Sequence, residues 1–148
     1  MKKQQFITFI SALLIILWVY AAGSKLWFYA AFKTQLARQP LPGWSIPVLS
    51  WLLPLVELIA VALLSFQKTL RIGLLLSFLL LLAFAVYVGL GLAHVFNKVP
   101  CNCGGILGKM EWGSHFIFNI CFTIVAFWGW RLTKTSDEFF IKRKLHNA

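Results

Sequence analysis

Two cysteines one residue apart, Cys101 and Cys103, sit in the stretch Val99-Pro100-Cys101-Asn102-Cys103-Gly104-Gly105, with His94 before it and His115 after it. A pair at this spacing can close a small, strained disulfide ring or present two thiolates to a metal. Gly104 and Gly105 permit the backbone angles that such a tight ring demands. A strained disulfide is easier to reduce than a relaxed one, which suits exchange better than stapling. A histidine beside a cysteine favours the attacking thiolate, a role open to both His94 and His115. Two other uses stay open. One is a plain structural disulfide. The other is a metal centre in which His94, Cys101, Cys103 and His115 supply the nitrogen and sulfur ligands of a zinc or Cu(I) site. Structural zinc sites usually place two or more residues between their cysteines, and the single Asn102 here argues against that use.

Further along, His115 and Asn119 are four residues apart and share one helix face. Together they could hydrogen-bond a quinone carbonyl or the loop backbone. Cys121 makes the cysteine count odd and reads as a small buried apolar residue on a different face. Glu57 is the only acidic residue well inside an apolar block. An intramembrane carboxylate is expensive and is normally paired or functional. Lys25 is the available cation, so a structural Lys25–Glu57 tie is expected, with acceptance of a proton from thiol chemistry as the sharper alternative. Pro54, one turn before Glu57, frees a backbone carbonyl nearby.

These residues need a scaffold, and the composition says which kind. Hydrophobic residues make up 60% of the 148 and charged residues only 12%, against about a quarter charged in an ordinary soluble domain. The apolar residues come in blocks, which is the pattern of a polytopic membrane protein. The net charge of +10 does not point to nucleic acid, because the bases lie at the ends of apolar blocks, where topology and snorkelling account for them. The first block, residues 6–23, follows Lys2 and Lys3 and is compatible with a cleaved leader. It exceeds the roughly 7–15 apolar residues of a leader core, however, and a retained first span is expected. Residues 32–38 carry Phe32, Leu36 and bases at helical spacing before Pro40, Pro42 and Gly43, as in a helix lying along the membrane surface with Trp27 and Trp44 at headgroup level. Further spans are expected over residues 47–66, 72–93 and 115–132, with Gly73, Gly89 and Gly91 as points of close helix approach.

The expected fold is therefore an all-α membrane protein, one domain over residues 1–148, built as a bundle of four transmembrane helices. Four spans put both termini on one side. That side collects Lys2, Lys3, Lys68, Arg71, Arg131, Lys134, Lys142, Arg143 and Lys144, nine bases against five on the other (Lys25, Lys33, Arg38, Lys98 and Lys109). The positive-inside rule makes both termini cytoplasmic and the Cys-x-Cys loop between helices 3 and 4 periplasmic. Residues 136–148 then form a basic cytoplasmic tail on the bilayer surface.

The set Gly23-Ser24-Lys25, Phe32 and Leu36, Leu53-Pro54 with Glu57, and Pro100-Cys101-x-Cys103-Gly104 resembles the MauE and DoxX-like membrane proteins (methylamine utilisation protein E and relatives). The resemblance runs from about residue 6 to residue 131. It implies a four-helix bundle in the bacterial inner membrane and a link to disulfide-rich periplasmic proteins, such as the subunit matured in methylamine utilisation. Some relatives are named for quinol oxidation or redox association. The expected activity is thiol–disulfide exchange by Cys101 and Cys103 with a periplasmic thioredoxin-like or disulfide-containing protein. A quinone is the candidate electron acceptor, and no nucleic acid is involved. A non-catalytic assembly or docking subunit is the alternative, and a metal-handling protein a third. The chain has one close cysteine pair, whereas the disulfide-forming membrane enzymes relay through two.

Overall fold

Uninterrupted Leu, Ile, Val, Ala and Phe leave the backbone no partner in lipid but itself, and a helix satisfies every interior N–H and C=O internally. The computed structural model describes residues 2–93 and 112–146, with side chains from 3 to 93 and from 113 to 133. Five helices follow one another: α1 (Lys2–Trp27), α2 (Tyr29–Ala37), α3 (Ser45–Ser65), α4 (Leu70–Leu92) and α5 (Trp112–His146). No strand occurs among the described residues. Four helical stretches are long and apolar enough to cross a membrane: Lys3–Trp27, Ser45–Ser65, Leu70–Leu92 and Gly113–Thr133. The shortest of these have 21 residues, which at about 1.5 Å per residue span roughly 30 Å, the thickness of the hydrocarbon core. The backbone helix of α5 runs on to His146, through the stretch expected as a separate tail.

The helix ends follow from local chemistry. Phe28 alone separates α1 from α2. After α2, Pro40 and Pro42 offer no N–H, so the chain turns, and the N–H of Ser45 reaches the Pro42 carbonyl at 2.9 Å to begin α3. At the far end of α3 the Thr69 hydroxyl donates to the Leu63 carbonyl at 2.9 Å, satisfying one acceptor that the helix leaves open.

Around the bundle, α1 packs against α3 and α5, and α4 closes the ring between α3 and α5. Ile10 and Leu74 flank Gly129, while Leu63 and Leu64 face Gly73. The starts of α1 and α4 therefore lie with the ends of α3 and α5, and successive spans alternate in direction. The opposite end gathers the end of α1, all of α2, the start of α3, the end of α4 and the start of α5. Residues 94–111 join α4 to α5 at this end, called here the connector end.

Two different kinds of packing divide the bundle. Away from the connector end, Ile7, Ile10 and Leu14 of α1 meet Leu64, Leu70, Leu74 and Ala126 in an apolar core. Lipid tails are as apolar as these side chains, so close fit rather than the hydrophobic effect holds them. Gly73 is the tightest point: a Cβ there would stand 2.8 Å from the Leu64 nitrogen and 2.9 Å from the Leu63 carbonyl carbon. Gly89 likewise abuts the Phe116 ring, and Gly91 is buried. We expect Gly73→Ala to cost about 1–3 kcal/mol, the scale of overpacking against backbone that cannot yield. Gly43→Ala, where nothing lies within 4 Å, is the control. Thermal unfolding in detergent compares the two, and equal midpoints would show that the turn between α3 and α4 relaxes at no cost.

Two further expectations meet the structure here. Ile7, Ile10, Leu14, Trp18 and Ala22 of the first block are buried in the bundle, so α1 is part of the core. Cys121, by contrast, is exposed and points away from the bundle. The inward face of α5 is set by Asn119, Thr123 and Ala126, and a residue two positions from both Asn119 and Thr123 falls on the opposite side of the helix.

Candidate functional site

At the connector end polar side chains replace the apolar core. Each of them reaches across to another element or along its own helix. Lys25, near the end of α1, places Nζ 2.7 Å from Glu57 Oε1 on α3. The same ammonium donates to the Ala21 carbonyl at 3.3 Å and lies 6.0 Å from the centre of the Phe32 ring on α2. Glu57 is 1% exposed, so the pair is desolvated, and the mutual attraction has to offset a cost of several kcal/mol per ion. Lys25 serves only one carboxylate oxygen. Among the described residues Glu57 Oε2 has no hydrogen-bond partner.

Three further side-chain pairs join different elements. Trp18 on α1 donates through Nε1 to Ser77 Oγ on α4 at 2.9 Å. The Tyr29 and Ser50 hydroxyls, on α2 and α3, share a hydrogen bond at 2.9 Å. Tyr87 on α4 donates to Oε1 of Gln39, the buried residue just past α2. Pro54 is buried on the same stretch of α3 and cannot donate to the carbonyl one turn earlier. Lys25 and Glu57 stand out in the sequence, whereas Trp18, Ser77, Tyr29, Ser50, Gln39 and Tyr87 do not. The available signal was that most of them are hydrogen-bonding side chains inside or beside apolar blocks. Which of them meet is a property of the packing.

On α5, His115 Nδ1 and Asn119 Nδ2 lie 3.0 Å apart, one turn from each other. An amide nitrogen only donates, so in this arrangement Nδ1 is the acceptor. His115, Asn119, Lys25, Glu57, Gln39 and Tyr87 all line one cavity of about 370 Å³, and the rest of its wall is mostly apolar. Phe32 and Leu36, buried on α2, contribute to that wall. The helix expected to lie along the membrane surface is thus folded against the bundle and borders the cavity. Trp27 and Trp44, at the same end, are exposed.

The structure therefore brings Lys25 to Glu57 and His115 to Asn119, and it places both pairs around one space. His94, Cys101 and Cys103 lie outside the described residues, and so do the ligands, other than His115, of the metal centre considered above.

A family model described as methylamine utilisation protein MauE matches residues 3–132. The chain belongs to the MauE family. The match takes in all four candidate spans, the cavity and residues 94–111, and ends where the apolar part of α5 ends. No curated protein and no solved structure shows a significant match. This member of the MauE family is a membrane protein. Its bundle presents large apolar side chains outward from every span, among them Ile16, Leu55, Leu79 and Ile117, the reverse of a soluble domain's surface.

Proposed function

We propose that this MauE-family protein carries out thiol–disulfide exchange at the outer face of the bacterial inner membrane, in the maturation of a disulfide-containing periplasmic partner such as one used in methylamine utilisation. Cys101 and Cys103 are the exchanging pair. A dithiol of the partner reduces their disulfide through a mixed disulfide, so the partner gains a disulfide and the pair becomes two thiols. The two electrons and two protons then pass from those thiols to a lipid quinone, which leaves as hydroquinone and restores the pair. The observation that carries this reading is the cavity at the connector end. Residues 94–111 join the end of α4 to the start of α5, the end of the bundle where Lys25, Glu57, His115 and Asn119 border a mostly apolar space. His94 and His115 flank the pair in sequence and would favour the thiolate.

The orientation follows from the nine-to-five distribution of bases, with both termini cytoplasmic and residues 136–148 a basic tail. A membrane-impermeant thiol reagent applied to intact, reduced spheroplasts is expected to label Cys101 and Cys103. Labelling seen only after the membrane is breached would reverse the orientation. The function itself is tested with the Cys101→Ser/Cys103→Ser double variant, which is expected to abolish oxidation of the partner. Undiminished partner disulfide in that variant would leave the connector a docking loop.

A further inference from the structure

Most of the wall of the 370 Å³ cavity is apolar, and the polar side chains in it are for the most part already paired. Lys25 is held by Glu57, Tyr87 by Gln39, Asn119 by His115, and Trp18 by Ser77. Water needs two to four polar partners per molecule, so a water-filled space is disfavoured. An empty one forfeits dispersion contacts all along its lining. A hydrocarbon chain restores those contacts, and the volume falls within the roughly 300–1,000 Å³ of ordinary ligand sites.

Leu17, Tyr20 and Ser24 of α1 border this cavity, as do His115 and Phe118 of α5. Phe6, Phe9 and Leu13, earlier on α1, border a second apolar cleft of about 270 Å³ with Ile124, Val125 and Trp128 of α5. Spacings of three and four residues put all six α1 side chains in one stripe. The two spaces thus succeed each other along one seam of the bundle, a helical turn apart at Leu13 and Leu17. Phe6, Phe9, Ile124 and Trp128 are exposed, so the seam meets the surrounding lipid. It follows the helices, close to the direction in which acyl chains lie. At the connector end, α2 lines the cavity with the buried Phe32 and Leu36, while Lys33 and, just past the helix, Arg38 are exposed. The one acidic side chain among the described residues, Glu57, is held by Lys25, so neither exposed base has a carboxylate there. A helix is only about 10–12 Å across, which leaves these bases within a lipid's head-to-chain reach of the cavity lining.

We propose that the cavity holds an acyl chain of an anionic phospholipid whose phosphate lies against Lys33 and Arg38. The chain replaces the missing wall contacts, and the two bases select the head group through charge-assisted hydrogen bonds. Binding uses neither Cys101 nor Cys103 and is separate from the thiol exchange proposed above.

The test is native mass spectrometry of the purified full chain in mild detergent, given equal amounts of phosphatidylglycerol and phosphatidylethanolamine with identical chains. One phospholipid per protein is expected to survive detergent washing, with phosphatidylglycerol favoured at least about fivefold, the scale of one base near an anionic surface. Lys33→Gln/Arg38→Gln is expected to abolish that preference while the neutral lipid is still retained. Ala21→Phe fills the cavity from α1 and Leu53→Trp fills it from α3, and each is expected to lower retention at least about tenfold, the effect of about 1.4 kcal/mol. Two filling variants on different helices guard against one that fails to fold. Leu79→Phe, on the outward face of α4, keeps the lipid. Cys101→Ser/Cys103→Ser keeps it too, so a failure of thiol exchange leaves the lipid site standing. The proposal is overturned by folded wild-type protein that retains no phospholipid, by equal retention of the two head groups, by a preference that survives loss of both bases, by undiminished retention in the folded filling variants, or by a quinone or detergent as the only bound molecule.

Discussion

Glu57→Gln and Lys25→Met are each expected to lower the stability of the detergent-solubilised protein, and the double variant is expected to lose clearly less than their sum. The reason is the 2.7 Å contact between Lys25 Nζ and Glu57 Oε1, with Glu57 only 1% exposed. Removing one partner strands the other charge away from water, which costs about 3–5 kcal/mol in buried pairs. Removing both leaves an amide and a thioether of similar volume, and the desolvation cost goes with the charges. The coupling is read from a double-mutant cycle on unfolding midpoints, with all four proteins in the same detergent. Lys25→Met keeps an unbranched side chain of similar length beside Phe32, and Glu57→Gln keeps the contour of the cavity wall. Strictly additive losses would mean that the two residues do not stabilise each other, and the tie between α1 and α3 would have to lie elsewhere.

The second large effect concerns Cys101 and Cys103 taken singly. Thiol–disulfide exchange in either direction passes through the same mixed disulfide, which the second cysteine of the pair resolves. With the resolving cysteine changed to serine, the intermediate has no exit. One of Cys101→Ser and Cys103→Ser is therefore expected to accumulate a reductant-sensitive adduct with a periplasmic protein, and the other to accumulate none. Non-reducing electrophoresis of alkylated membranes, followed by mass spectrometry of the shifted band, reads the result. Cys121→Ser is the internal control. Cys121 faces outward from α5 within an apolar span, where a soluble partner's thiol has no access, so its loss traps nothing and leaves exchange intact. A metal site gives another pattern, in which either serine abolishes stoichiometric zinc or copper and neither traps a protein. Adduct in both single variants, or in neither, would remove the attacking and resolving roles from this pair.

Much of this architecture was legible along the chain. Apolar blocks of spanning length can only be helices in lipid, because no other open structure satisfies the backbone there. The spans expected over residues 47–66 and 72–93 accordingly fall within a few residues of α3 and α4. Glu57 stood out by the same logic, since a carboxylate inside such a block needs a partner, and Lys25 was the cation within reach of the same end. Membership of the MauE family, expected from the order of small motifs, agrees with the match over residues 3–132.

The rest depended on rotation and depth, which composition does not specify. A block that is apolar on every side has no stripe to mark its inward face, so Cys121 was expected inside and faces out. Residues 32–38 show a sided pattern that suits a membrane surface as well as a protein one, and only the packed bundle turns Phe32 and Leu36 onto the cavity. Trp18 and Ser77 are 59 positions apart, and nothing in either block announces the other. What the sequence by itself determined is the number of spans and the presence of costly polar groups within them, because the bilayer penalises each unsatisfied group wherever it stands. What only the tertiary structure decided is which groups meet and what space they enclose. The cavity, the unpartnered oxygen of Glu57 and the His115–Asn119 pole exist only once α1, α2, α3, α4 and α5 have settled their mutual rotations, since contact energies between distant residues depend on geometry that no local pattern encodes.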